Sequence, residues 1–266
     1  MERYLDGKRE RKITMAYAEL PVTPFKGELN TQLFIAGPNA TPLLRRIPRE
    51  NRIIMDSLKH EYHNLGFTQA GGRFRRRSPD EQAKLSLFAA THGLNVVPYV
   101  NRHSEGTYDY PYLQGTTTLD EYLPAASPDK ALFLTLSLFE DLRKAHSLGL
   151  VYGDRWSKNI LVWPDILIRP DNTFSHVDFD LEIYGPPAVS FEVAQLAYYV
   201  LAGGREKVLN PLAHILSMNE NWFDVELVIQ FLKGHARHFR KSQKYGGIEN
   251  ETDTLIELIK KKKRIK

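Results

Sequence analysis

An aspartate and an asparagine stand five positions apart in "LVYGDRWSKNILVW", residues 150–163, between two short apolar runs. Two further aspartates follow in "SHVDFDLEI", at Asp178 and Asp180, where an apolar run ends. A magnesium ion takes hard oxygen ligands, usually one or two protein carboxylates with the rest from water and phosphate. Asn159 at one strand end and Asp178 at the neighbouring strand end can supply such oxygens, with Asp180 a weaker metal-adjacent candidate. Asp154 then stays free to orient or deprotonate an attacking hydroxyl. That division of labour belongs to phosphoryl transfer, where positioning and charge neutralisation do most of the work. The bland alternative is a pair of polar turns in a β-hairpin. The spacing D-x-x-x-x-N is weak by itself. It gains force from the apolar pair after Asn159, the hairpin, and the apolar-D-F-D that follows.

Elements that could position these residues are legible along the chain. Gln32 to Ala36 and Pro42 to Ile47 read as strands joined by the Gly-Pro-Asn turn at 37–39. A helix is expected over Asn51–Asn64. Ser78-Pro79-Asp80-Glu81 is a helix start, with a capping serine, proline in the first position and acids in the first turn. That helix should end at His92, before Gly93. "NVVPYV" (95–100) and "TYDYPYL" (107–113) read as strands. Ser127-Pro128-Asp129 opens another helix, with Leu132, Leu136, Phe139 and Leu142 on one face, ending near Gly149. "NILVWP" and "TFSHVDF" should form a hairpin, and a helix is expected over Ser190–Leu201, with helical sequence beyond. A β-rich first part with one main helix, then a mostly helical second part, argues for an α+β protein in two lobes rather than a doubly wound sheet. The boundary is placed at residue 113, giving lobes 1–113 and 114–266.

The 266 residues suffice for two modest lobes, each with a core. There is no cysteine, which removes disulfides and thiolate metal sites and suits a reducing cytoplasm. The first residues, "MERYLDGKRERKITMAY", lack the apolar core of a signal peptide. The longest apolar run, Ala131 to Phe139, falls far short of the ~20 residues that span a bilayer. Net charge is +4, unevenly spread: residues 1–80 carry +6, 81–232 carry −9 and 233–266 carry +7. An acidic middle between basic ends suits a protein that holds divalent cations and phosphates, and equally suits charge balance between packed lobes. "RFRRR" at 73–77 reads either as a contact for a phosphorylated substrate or RNA backbone or, preferably, as a solvated face. "KKKKRIK" at 260–266 reads as a helix end that favours its own dipole, with RNA or another anionic partner as a weaker reading. His235 and His238 lie three apart without a third ligand, so zinc is not expected.

These motifs resemble the protein-kinase-like superfamily, most closely its aminoglycoside and choline phosphotransferase branch, with similarity also to small atypical kinases of the RIO type. The branch typically reads H-G-D-x-x-x-x-N and then I-D-F-[DE]. Here the loop is Tyr152-Gly153-Asp154 to Asn159, and the later element is Val177-Asp178-Phe179-Asp180. The resemblance extends over roughly residues 24 to 202 and includes "LRKAHSLGLVYGD", with its His146, and "YDYPYLQGTTTLDEYL" as the connection between lobes. It implies a bilobal fold that binds ATP and Mg2+. Adenine would rest near Tyr110, Pro111, Tyr112 and Leu113. Asp154 would be catalytic, Asn159 and Asp178 metal-binding, and Lys158 either a neutraliser of phosphate charge or a solvated lysine.

The departures are informative. Tyr152 stands where the family carries histidine, a residue of packing and orientation. The family's strand lysine falls at Arg45 or Arg46. These point to opposite faces of a strand, and Arg45 is preferred because it directly follows Leu43-Leu44. Its expected carboxylate partner is Glu81, with Glu61 the competitor. The phosphate loop is poor in glycine, leaving Gly27, Asn30 and Thr31 as donors. Glu192 stands where the family often has aspartate, and its longer side chain could still bond the loop's backbone. The acceptor implied is a hydroxyl, on a small molecule by preference or on a protein or RNA-associated partner. A scaffold that binds nucleotide without turnover is the third reading.

Overall fold

The computed structural model describes residues 25–26, 30–37, 41–49, 52–163, 173–218 and 221–264. Gly27 and the side chain of Asn30, both expected near phosphate, lie outside the described residues, as do positions 38 and 39 of the expected turn.

The first sheet is antiparallel, in the order β1-β2-β3-β6-β5. Its strands are β1 (Phe25–Lys26), β2 (Asn30–Ala36), β3 (Pro42–Pro48), β5 (Asn101–Ser104) and β6 (Thr107–Pro111). β3 is central, paired with β2 on one side and β6 on the other. The expected strand at 95–100 is not formed. The stretch makes the isolated bridge of Val96 to His176 and a single bond from the Val100 N–H to the Asp109 carbonyl, and the strand next to β6 is the following Asn101–Ser104. Pro98, which lacks a backbone N–H, suits that unpaired course.

Helix α1 (Arg52–Asn64) and strand β4 (Arg73–Arg76) lie between β3 and α2 (Pro79–Thr91). α2 begins as expected. Ser78 accepts from the Glu81 N–H, and the Glu81 carboxylate accepts from the Ser78 N–H, a complete capping box with proline in the first turn. α1 does not stay with the first sheet. It packs against α7 (Val225–Phe239), burying Leu58 and Tyr62. β4 pairs with β10 (Leu181–Tyr184), directly after the Asp178-Phe179-Asp180 segment. The expected lobe boundary at residue 113 falls in the connection after β6, yet α1 and β4, which precede it, pack on elements that follow it.

The second part holds α3 (Leu119–Ala125), α4 (Pro128–Ser147), the hairpin β8 (Ile160–Val162) and β9 (Phe174–His176), α5 (Ala188–Gly204), α6 (Glu206–Met218), α7 and α8 (Glu249–Arg264). The short strand β7 (Thr117–Thr118) joins the hairpin on its β8 side. α5 is apolar nearly all round and buried nearly throughout, as a helix at the centre of a bundle must be. α3, α4, α6 and α7 pack around it. Among the buried polar residues of its surface, Glu192 and Gln195 are fully buried and three apart, so they share one helix face. Ser127 caps α4 as expected. No helix among the described residues is long and apolar enough to cross a membrane.

Candidate functional site

Between the first sheet and the helical part lies a cleft of about 840 Å³. Tyr110, Pro111, Tyr112 and Leu113 line it, and so do Asp154, Lys158, Asn159, Asp178 and Asp180. The residues singled out from the two distant motifs therefore meet in one place.

The loop carrying Asp154 is held from beneath by the polar pair of α5. Glu192 accepts from the Gly153 N–H at 2.8 Å, from the Tyr152 N–H at 3.3 Å and from His146 at 2.7 Å. Gln195 accepts from the Arg155 N–H at 2.8 Å, and its amide donates to Asp154 Oδ1 at 3.3 Å. The longer acid at position 192 thus reaches the loop backbone. Tyr152 performs the packing expected of the residue it replaces. Its hydroxyl donates to Asp141 at 3.0 Å, and its ring lies 4.8 Å from His176 and 5.7 Å from Phe179. Burial works against ionisation of Asp141. Bonds from His176, the Asn95 N–H and Tyr152 outweigh it and hold the carboxyl below its ordinary range. Burial pushes His176 downward, so this fully buried ring is neutral beside an ionised Asp141.

Arg155 is fully buried. Its Nη2 donates to the Asp178 carbonyl at 3.1 Å, and Nη1 lies 3.2 Å from His176 Nδ1. The guanidinium also stacks over Tyr152 and Phe179, at 5.1 and 5.2 Å. Asp178 has φ of +62°, a left-handed conformation that aspartate adopts more readily than most residues and that clusters at functional sites. Asn159 donates from Nδ2 to the Asp154 carbonyl at 3.2 Å, so Oδ1 is the side-chain atom that could accept a ligand's charge.

The strand arginine in the cleft is Arg46, a reversal of the expectation for Arg45. Leu44 and Arg46 share the face that lines the cleft, with Gln32 opposite Arg46 on β2. Arg45 points to the other face and forms a bidentate pair with Asp109 across β6, at 2.7 and 3.0 Å. Arg46 does not meet Glu81 either. It donates to Asp178 at 2.8 Å and reaches Asp180 at 3.3 Å, and its guanidinium lies 5.7 Å from the Tyr110 ring. Glu81 is engaged by Arg75 and by its own capping box on the outer side of α2. Its competitor Glu61 lies on α1, which packs toward α7. Burial opposes ionisation of Asp178, but the Arg46 charge and hydrogen bond hold its carboxyl below the ordinary range. Burial first, then repulsion from Asp178, raises Asp180 to about 7. Burial also raises the Tyr110 hydroxyl to about 12.

Other expectations resolve differently. Thr31 sits in β2 opposite Ile47, and Gln32 is the β2 residue that lines the cleft. The "RFRRR" stretch is not a solvated face throughout. Arg75 pairs with Glu81 and Glu182, Arg76 donates to the Arg49 carbonyl, and Arg77 is buried. His235 is buried against the Phe231 carbonyl, and no cluster of three histidines or acids among the described residues could hold a metal. In the tail, Lys263 pairs with Glu226 at 3.6 Å, and Lys260 to Arg264 occupy the last turns of α8. Trp156, Leu161, Val177 and Lys244 also line the cleft. Lys244, which contacts Asp120, comes from the distant α7–α8 connection and had no local signal.

The donors present, two carboxylates and an amide oxygen at one end of the cleft, fit a hard divalent cation. Arg46 Nε is buried there without a partner, and a guanidinium suits phosphate oxygens. No protein-family model and no curated protein matches the sequence. Among solved structures, the chain is similar to the Rio2 kinase of Chaetomium thermophilum, determined as an ADP/Mg2+-phosphoaspartate complex. The TM-score is 0.50 at 13% identity, covering 92% of this chain and 71% of that one. The chain has the protein-kinase-like fold.

Proposed function

We propose that this chain is an ATP- and Mg2+-dependent phosphotransferase acting on a hydroxyl acceptor. The observation that carries the reading is the convergence of Asp154, Asn159, Asp178 and Arg46 on one cleft that Tyr110, Pro111, Tyr112 and Leu113 also line. Asn159 Oδ1 and the Asp178 carboxylate would hold the metal, with Asp180 beside them. Bound Mg2+ would supply neutralisation of phosphate charge. The wall at Tyr110 to Leu113, with Leu161 and Val177 opposite, would take the adenine. Arg46 would exchange its carboxylate partners for phosphate oxygens, which a guanidinium binds as a fork. Asp154, oriented by Gln195, would accept the proton of the attacking hydroxyl, and Lys158 at the same rim would offset charge on the transferred group. A small-molecule hydroxyl is the acceptor favoured by the aminoglycoside-type motifs. A protein or RNA-associated acceptor would use the basic ends. The absence of cysteine suits action in the cytoplasm.

One observation favours a second reading, a module that binds nucleotide without turnover. Arg46 sits on both carboxylates that the metal would need. Thermal unfolding with ATP, with and without Mg2+, separates the two. Stabilisation that requires Mg2+ and vanishes in Asp178→Ala, with ATP hydrolysis abolished in Asp154→Ala, is the result expected of the enzyme. Unchanged melting at millimolar ATP would remove both readings, and Mg2+-independent stabilisation without hydrolysis would leave the second.

A further inference from the structure

Arg77 directly follows strand β4 and is only 5% exposed. Its backbone N–H donates to the Asp180 carbonyl at 2.8 Å. Its guanidinium Nη1 donates to the carbonyls of Tyr152 at 2.7 Å and Leu181 at 2.7 Å, with a longer bond to Phe179 at 3.3 Å. Nη2 donates to the Val151 carbonyl at 2.8 Å. Every acceptor is a main-chain carbonyl, and together they come from the two segments that carry Asp154 and Asp178. Arg77 therefore ties the Asp154 and Asp178 loops together from outside both, beside the bond that Arg155 of the first loop makes to the Asp178 carbonyl. The loops are otherwise distant in sequence, and the arginine belongs to neither. Gly153 makes the approach sterically feasible, because a Cβ there would lie 1.9 Å from the Leu181 oxygen. Burial lowers Arg77 to about 10, which leaves it charged at neutral pH. A lysine at this position could direct a compact ammonium at one or two of these carbonyls, but not a planar fork at all of them.

We infer that Arg77 is a positioning residue that sets the Asp154 and Asp178 loops against each other and so builds the metal end of the cleft. This rests on the phosphotransferase reading of the cleft. Strand β4, through its pairing with β10 and through Arg77, then holds the segment after Asp180 in place in the resting chain.

Isothermal titration of ADP into the full chain, with and without Mg2+, tests the inference in the wild type, Arg77→Lys and Arg75→Met. Arg75 is a cation on the same strand that contacts only surface carboxylates. The wild type and Arg75→Met are expected to gain affinity on adding Mg2+. Arg77→Lys should lose at least tenfold of that gain while its metal-free affinity stays within twofold. Deuterium exchange in the ligand-free protein should rise over residues 178–181, where the carbonyls that Arg77 bonds lie, in Arg77→Lys and not in Arg75→Met, with α5 unchanged. Retention of the Mg2+ gain in Arg77→Lys overturns this inference and leaves the phosphotransferase reading intact. Absence of any Mg2+-dependent ADP binding in the wild type overturns both. Should Arg77→Lys not fold, the wild type still decides. The Arg77 guanidinium protons should be protected from exchange in nuclear magnetic resonance and should shift with ADP and Mg2+. Free exchange or an unchanged signal overturns the inference.

Discussion

Gly153 offers a direct measurement of how tightly the two loops are packed. Its φ is +104°, and a Cβ built there would stand 1.9 Å from the Leu181 oxygen, where ordinary contact begins at 3.4 Å. In Gly153→Ala the carbonyl must therefore retreat by about 1.5 Å. The Leu181 oxygen accepts from Arg77 at 2.7 Å, so such a shift breaks that bond. Loss of a hydrogen bond to a charged group costs about 1.5–3 kcal/mol. The positive φ adds about 1–3 kcal/mol for a residue with a Cβ. The sum is about 2.5–6 kcal/mol, a large share of the roughly 5–15 kcal/mol that holds a domain folded. Gly149→Ala supplies the control, because Gly149 has φ of +74° and nothing within 4 Å of its Cβ position. It should show the backbone strain alone, about 1–2 kcal/mol. Urea unfolding of both variants, read as midpoint and slope, gives the difference. If the two alanines cost the same within about 0.5 kcal/mol, the close packing of Gly153 on Leu181 is refuted, and with it the argument that glycine is required there.

Three other outcomes can be checked independently. Arg46→Met removes the guanidinium that would take phosphate oxygens in place of Asp178 and Asp180, so nucleotide affinity measured by titration should fall at least tenfold, whereas Arg45→Met should change it less than twofold. Tyr152→Phe removes only the hydroxyl bond to Asp141, costing about 1–2 kcal/mol in urea unfolding, with ADP affinity unchanged. Burial pushes His235 down to about 4, so the folded chain stays unprotonated there while the unfolded chain takes a proton below about 6.5. Stability should therefore fall as pH drops from 7 to 5, by about 1.8 kcal/mol from this residue, and His235→Gln should flatten that part of the profile.

Which parts of the site could be read from the sequence follows from how local their determinants are. Asp154, Asn159 and Asp178 are placed by short loops that open and close a hairpin, so spacing and flanking apolar residues suffice. The choice between Arg45 and Arg46 depends on which face of β3 meets the cleft, and neighbouring leucines are a poor guide because β3 is central and has apolar residues on both faces. A better signal lay across the sheet. Asp109 interrupts the aromatic strand Thr107–Pro111 directly opposite Arg45, and a carboxylate there claims that arginine for the outer face. β4 was unreadable for a different reason. Arg-Phe-Arg-Arg has little strand character of its own, and its pairing partner β10 comes more than 100 residues later, with Glu182 set opposite Arg75. The reverse holds for α5. A glutamate and a glutamine three apart on a mostly apolar helix must be buried with partners, since an unbonded buried polar group is costly. A loop laid across such a central helix offers backbone N–H groups for them, as the Tyr152–Arg155 stretch does beside His146 of α4. Read that way, Glu192 and Gln195 locate the Asp154 loop from 40 residues away, using burial alone and no catalytic motif.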